Sequence, residues 1–448
     1  MAQSTLSRVL PLRTAVSTSA GLASAAVNFL AAVEVAEYAG GQSAWLAILV
    51  AGILIVFAGA NFSELNALFP SAAAIRVWIR RGINDRFSLV SSMVYMLTVV
   101  FVIAADAFVL GHTFSRAVPA IPALLWIFVL LALVTWSNSR GIKVAGTVQD
   151  SNAFVLLGTL ILFSLIALGR TPDLGQFHYF DLGRHWFEAV ALGIFIFVGF
   201  EWVTPLAEEF QDSRQIPRGM FIALGLIAIA FGLFSLALTV AFPHGHGLVH
   251  SFVPQLLVGM RALGPLGFWW MAFITLTTAM TTFNGGLLAA SRFVYALARE
   301  RALPVWFARL NRRLVPQNAL MLLAACAFVL AVLVYRTGQY LLLINAGAGV
   351  ESLMYALSSI LVISLRRREP SRPRSFRVFG YPLAPGLVAV LFLGLGVEAL
   401  LTPTGPSGFP GALVFFLGIV VVMTAYVLAV VPRLKKRRKG EQGVSTPR

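Results

Sequence analysis

Apolar runs of about twenty residues, the length needed to cross the hydrocarbon core of a bilayer, recur along the whole 448-residue chain. No other feature constrains the fold as strongly. Backbone N–H and C=O groups in hydrocarbon must be satisfied within the segment that carries them, so runs of this length can only be helices. The expected class is an all-α integral membrane protein of about 12 transmembrane helices. The spans expected are 14–37, 43–66, 88–110, 121–138, 148–169, 187–210, 218–241, 262–291, 319–336, 340–364, 383–402 and 410–431. A composition of 58% hydrophobic and 12% charged residues agrees with this class.

The cations give the orientation. With the N-terminus in the cytoplasm, 29 of the 34 Lys and Arg residues fall on the inner side, leaving Arg116, Arg170, Arg184, Arg261 and Arg336 outside. Such a bias predicts a multi-pass protein of the cell membrane with both termini cytoplasmic. The net charge of +16 is then a topology signal, and no nucleic acid partner is expected. The first span is expected to be retained, because it holds Asn28, Glu34 and Glu37 and lacks a small-residue cleavage site.

Several features have a bland reading. Cys326, the one cysteine, allows no intramolecular disulfide, indicates no disulfide-linked partner, and reads as a small buried hydrophobe. The six histidines fall on the outer side; they read as solvated loop residues, with an external pH sensor or a metal site at "HGH" (residues 244–246) as the alternative. Their spacing supplies no third zinc ligand, so no metal is expected. "PSAAAIRVWIRRGI" (70–83) places Ile75, Trp78, Ile79 and Ile83 at helical spacing, as in a helix lying in the inner interface. The tail "RLKKRRKGEQGVSTPR" (433–448) reads as a basic anchor beside anionic lipid. No G-x-x-x-x-G-K loop is present, so direct ATP drive is disfavoured and no cofactor is expected.

Two spans are interrupted. "FVGFEWVTPLAEEF" (197–210) carries Gly199, Glu201 and Pro205 inside an apolar run. Glycine admits unusual dihedrals, proline cannot donate to the preceding turn, and a mid-membrane acid is penalised by about 3 kcal/mol on insertion scales. Two readings of Glu201 stand: an ion-pair partner within the bundle, or part of a site. The first span, "SAGLASAAVNFLAAVEVAEYAGG" (19–41), is rich in small residues, with Asn28 near its middle and Glu34 and Glu37 one turn apart. Tight helix packing would also use small residues. Leading two sets of five spans, the first and sixth are the pair expected to be discontinuous in an inverted-repeat transporter, with half-helix ends that hold ions and substrate.

Four fragments carry a resemblance to a known family. The sixth span and the loop after it read "FVGFEWVTPLAEEFQDSRQIPRG"; the eighth reads "NGGLLAASRFVYALARERALPVWFARLNRRLVPQNAL". The second span ends in "ELNALFP" and the tenth in "LRRREPSRPRSFRVFGYP". In this order, and on the side that the charge bias assigns, they resemble the motifs of the amino acid-polyamine-organocation (APC) superfamily over most of the chain. The resemblance implies a LeuT-like 5+5 inverted repeat with discontinuous helices 1 and 6. Its parts would be a cytoplasmic N-terminus (1–13), one transporter domain (14–431) and a basic tail (432–448), with repeat one over about 14–169, repeat two over about 187–364, and helices 11–12 over about 383–431.

The resemblance further implies a secondary transporter of an amino acid or small organic amine, with a substrate carboxylate at the helix 1 break and an amino group at carbonyls of helices 1 and 6. Phe195, Phe197, Val198, Gly199, Phe200 and Glu201 would line the site, Phe195 as a gate. Ala25, Ala26, Val27, Asn28 and Phe29 stand where the family commonly has G-S-G-I-F. A lysine that proton-coupled relatives place on helix 5 is missing; the position falls near Leu156. These departures mark a divergent branch.

Acids within spans are costly and by default belong to sites, relays or pairs. Glu201, Asp106, Glu351 and Glu34 are therefore proton-coupling candidates, and Thr278, Thr281 and Thr282 are candidates for a sodium site. Proton coupling leads, with exchange or uniport and sodium symport as alternatives. No serine, histidine and acid converge as an enzyme would need; a channel or nutrient sensor on the same fold stays open. The oligomeric state is left undetermined.

Overall fold

The computed structural model describes residues 6, 8–40, 43–170, 180–242, 248, 250–404 and 408–435. The "HGH" motif and His178 lie outside the described residues, as does most of the basic tail. Among the described residues the chain is helical, with one isolated bridge between Leu10 and Phe210.

The described residues form fourteen α-helices: α1 (Leu12–Ala23), α2 (Asn28–Tyr38), α3 (Ala44–Leu68), α4 (Ala74–Gly82), α5 (Asp85–Ala117), α6 (Ala123–Ser139), α7 (Ile142–Gly169), α8 (Trp186–Phe195), α9 (Gln215–Ala241), α10 (Pro254–Arg299), α11 (Gln317–Thr337), α12 (Tyr340–Arg368), α13 (Leu383–Leu401) and α14 (Gly411–Ala429). Ten of the helical segments are long and apolar enough to cross a membrane, and α1 with α2 form an eleventh span bent by 63°. The shorter apolar helix α6 lies over the expected span 121–138 but falls short of the length of the others, so eleven of the twelve expected spans are matched.

Both interrupted spans break. The first stops at Ala23 and resumes at Asn28, and the sixth runs from α8 through a turn to a 3-10 segment, Phe200–Leu206. Gly199 supplies the left-handed backbone there, at φ 104°, which a side chain would strain. Pro205 has no N–H to give, and the tighter 3-10 pairing accommodates it. The two breaks pack together: a Cβ on Gly199 would lie 3.6 Å from the Ala23 nitrogen. Gly21 lets α1 approach α7 and α10, since a Cβ there would meet the Gln149 side chain at 2.3 Å.

Two expectations are corrected. Cys326 is exposed on α11, because it falls on the face that no other helix covers. The helix expected in the inner interface, α4, does not keep all its cations at the surface: Arg76 is buried and meets Asp85, Ser88 and Glu300. Ile75, Trp78 and Ile79 are buried with it.

Arginine–carboxylate pairs gather at one end of the bundle. Arg292 holds Glu209 at 3.1 Å with both side chains fully buried, and Arg299 grips Glu208 through two hydrogen bonds of 2.9 and 3.1 Å. Arg366 forms a fork on Glu64 at 2.8 and 2.6 Å, with Arg374 3.3 Å from the same carboxylate. Arg13 reaches Asp150 at 3.0 Å. These contacts tie α10 to the segment after the sixth span, α1 to α7, and α12 with the loop after it to α3. Burial opposes ionisation of Glu208, but hydrogen bonds from Arg299 and the Ala72 amide win and hold its carboxyl below the usual range.

Candidate functional site

A cavity of about 620 Å³ opens at the opposite end and descends to the breaks. That volume lies within the range of small-molecule sites, about 300–1,000 Å³. Ala25, Val27 and Asn28 of the first break and Phe195 and Val198 of the sixth line it. Glu34, Glu37, Glu188, Glu351 and Glu398 also face it, and among the described residues its lining includes no Arg, Lys or His. The other break residues point elsewhere. Phe29 is fully buried against Phe231 and Phe234 of α9. Phe197 packs towards Gly52 of α3, and Phe200 against Phe62 and Tyr355. Ala26 offers the cavity no side chain; its amide is turned to α5.

At the first break, Asp106 of α5 puts Oδ1 against the free amides that open α2. It accepts from the Ala26 N–H and, at 3.3 Å, from the Val27 N–H. A helix N-terminus carries partial positive charge and unsatisfied donors, so a carboxylate is stabilised there by about 0.3–2 kcal/mol. Asn28 takes the complementary role: its Nδ2 donates to the Ala23 carbonyl at 2.6 Å and to the Ile196 carbonyl at 2.9 Å, which joins the two breaks.

Below the cavity lies a closed polar cluster. Tyr95 and Tyr355 donate to the two oxygens of Glu201 at 2.9 and 2.6 Å, and the Gly199 amide donates to the Tyr355 hydroxyl at 3.2 Å. Thr98 and the Trp202 indole lie 2.6 and 3.0 Å from Glu351 Oε1. Tyr95 stacks on Trp202 with centroids 4.4 Å apart, an arrangement worth about 0.5–1.5 kcal/mol beyond its area. The Glu201 carboxyl neighbours Glu351, whose Oε2 has no hydrogen-bond donor. Among the described residues no guanidinium or ammonium contacts either acid. Of the two sequence readings of Glu201, the ion-pair partner thus finds no cation here.

The threonines of α10 are largely turned inward. Thr278 and Thr281 donate to carbonyls of their own helix, as threonines commonly do, and the Thr282 hydroxyl lies beside Asp106 outside hydrogen-bond geometry.

Sequence reasoning missed Tyr95, Thr98, Trp202 and Tyr355. A signal existed: Tyr95 with Thr98 and Glu351 with Tyr355 are spaced three and four apart, so each pair shares a helix face. What put the two faces together was packing alone.

The model of the amino acid permease family matches residues 15–441. The chain belongs to the amino acid permease family. Among its relatives, the gamma-aminobutyric acid permease of Bacillus subtilis (strain 168) is 23% identical over 430 residues, covering 91% of this permease and 89% of that protein. The large neutral amino acids transporter small subunit 2 of Homo sapiens is 26% identical over 433 residues, 87% and 76% of the two chains. An aromatic amino acid transport protein of Corynebacterium glutamicum is 25% identical over 414 residues, 86% and 88%. In three dimensions the permease is similar to a Na+-coupled sialic acid symporter in a substrate-bound outward-open state, with TM-score 0.57, 13% identity, and 88% and 91% of the chains covered. That likeness shows the fold, the LeuT-like architecture expected, with both discontinuous spans in place.

Proposed function

We propose that this permease is a secondary transporter of an amino acid or small organic amine, coupled to protons through Glu201 and Glu351. The substrate enters the cavity that ends at the two breaks, with Phe195 as the partly covered aromatic at its floor. The arginine-rich end is the cytoplasmic one in a cell membrane, which agrees with the bias of Arg and Lys along the sequence. In this state the cavity is open outward and the arginine pairs close the other end, one half of an alternating-access cycle. The two sets of five spans are its moving repeats.

The observation that carries the coupling is the carboxyl pair without a cation. Two adjacent buried carboxylates cannot both stay charged, so they share a proton. Thr98 supports this: its single hydroxyl proton lies between two acceptors, the Tyr95 carbonyl at 2.7 Å and Glu351 at 2.6 Å. A proton on Glu351 resolves that conflict. Glu351 also lines the cavity, so the proton has an aqueous entrance, while Glu201 lies behind it on the 3-10 half of the broken span. Glu34 sits on the cavity wall and Asp106 at the first break, where neither touches the pair.

Proteoliposome uptake with separately imposed proton and sodium gradients tests this reading. Accumulation should follow the proton gradient; Glu201→Gln should lose it while retaining substrate exchange at zero gradient, and Glu351→Gln, which also alters the cavity floor, should lose accumulation and weaken exchange. Accumulation driven by sodium alone, or unimpaired in both variants, would remove the pair from coupling.

A further inference from the structure

The two breaks bring together backbone amides and carbonyls that could hold a substrate's carboxylate and amino group, and both sets are already taken by the chain. Asp106 fills the amides of Ala26 and Val27, and Asn28 fills the carbonyls of Ala23 and Ile196. The two side chains together imitate a bound zwitterion. A side chain fixed in place competes at an effective concentration of molar order or above, whereas substrates act at roughly 1 µM to 1 mM. A free carboxylate therefore loses the contest for these amides unless it brings other contacts of its own.

The accessible space favours the opposite charge. Five carboxylates face the cavity without a guanidinium, ammonium or imidazole among its described lining residues, and a dissolved anion would meet them there. At the floor, Glu351 is 2% exposed, and once the proton it shares with Glu201 has left, its Oε2 is an acceptor with no donor among the described residues. An ammonium group supplies what that oxygen lacks, and the aromatic and aliphatic side chains of Phe195, Val198 and Val102 suit the apolar remainder of an organic amine.

We infer that the substrate is an amine cation without an α-carboxylate, and that Asp106 is the residue that excludes α-amino acids. This rests on the transporter reading above and narrows its substrate.

The test uses matched pairs that differ only in the α-carboxylate: ornithine and putrescine, lysine and cadaverine, phenylalanine and phenethylamine. Each is assayed for saturable counterflow in proteoliposomes of the full chain. The expected result is saturation by at least one decarboxylated member and none by its parent at tenfold higher concentration. Saturation by a parent amino acid in preference to its amine would overturn this inference and leave transport standing; no saturation in any pair, with the protein folded by its melting profile, would overturn both.

Asp106→Ala should then move the preference towards the parent amino acid by roughly tenfold, since it frees a helix terminus for a carboxylate. Asp106→Asn keeps an oxygen for the Ala26 and Val27 amides and should keep the preference in its original direction. If Asp106→Ala slows every compound by the same factor, Asp106 only supports the break and the assignment fails. If Asp106→Ala does not fold, Asp106→Asn decides: a swing to the parent amino acids counts against the proposal.

Discussion

The two ends of the bundle use carboxylates in opposite ways. At the basic end Glu64, Asp85, Asp150, Glu208, Glu209 and Glu300 each meet at least one Arg. At the other end Glu34, Glu37, Glu351 and Glu398 line the cavity with no Arg or Lys among its described lining residues, and Glu188 has His185 beside it, at 3.3 Å. The acids are similar; their company differs. Paired acids join helices and close one end, whereas the acids at the other end line a cavity of about 620 Å³. The contrast is what an alternating-access protein needs in a single state, one end held shut by interactions that the other end lacks.

The strongest way to break this contrast is to strip one partner from the most buried pair. Arg292→Met leaves Glu209 buried and unpaired, which should cost about 3–5 kcal/mol. A large fall in melting temperature in detergent is expected, with recovery of much of it in the Glu209→Gln/Arg292→Met double variant. Full stability in the single variant would mean that the pair is not closed in solution.

A smaller effect is expected at the fork on Glu64. Arg366→Met should weaken closure by about 1–3 kcal/mol and shift the population towards opening at the basic end. With Ala31→Cys as a reporter on the cavity wall and Cys326→Ser removing the exposed native thiol, labelling by a membrane-impermeant reagent from the acidic end should slow by about fivefold or more. Unchanged labelling would detach the fork from gating.

Acid should erode the same closure by a modest amount. Glu208 is held below the usual carboxylate range, so its contribution is complete above the ordinary value of 4.5 and is lost as pH falls through the lower, folded-state value. Melting temperature should therefore decline on acidification from about pH 5 downwards, with a shallower decline in Glu208→Gln. An identical slope in the variant would assign the acid sensitivity to other groups.

The smallest effects belong to the open end. Glu34→Gln and Glu37→Gln should each raise the half-saturating concentration of a cationic substrate by a few-fold at low salt, and less at about 0.15 M, where charges more than about 8 Å apart are screened. Melting temperature should hardly move, since no ion pair is lost. Equal effects at low and high salt would point to direct contact with the substrate.

Much of this was legible in the chain. Apolar run lengths determined the helical membrane class and eleven of its spans, because hydrocarbon leaves the backbone no other choice. Gly199, Pro205 and the small residues around Asn28 marked both breaks, since those residues disturb a helix whatever surrounds them. The acids were legible as costly, but their partners were not. That Asp106 reaches the amides of Ala26 and Val27, that Asn28 bridges two breaks 168 residues apart, and that Glu201 and Glu351 meet among Tyr95, Trp202 and Tyr355 depended on which helix faces were packed together. Hydrophobic periodicity is nearly absent from helices surrounded by lipid and other helices, so beyond polar pairs such as Tyr95 with Thr98 and Glu351 with Tyr355 the sequence carried little signal for facing. Packing of small residues at Gly21 and Gly199 decided it, and with it decided which carboxylates are sealed, which are shared and which are left for a substrate.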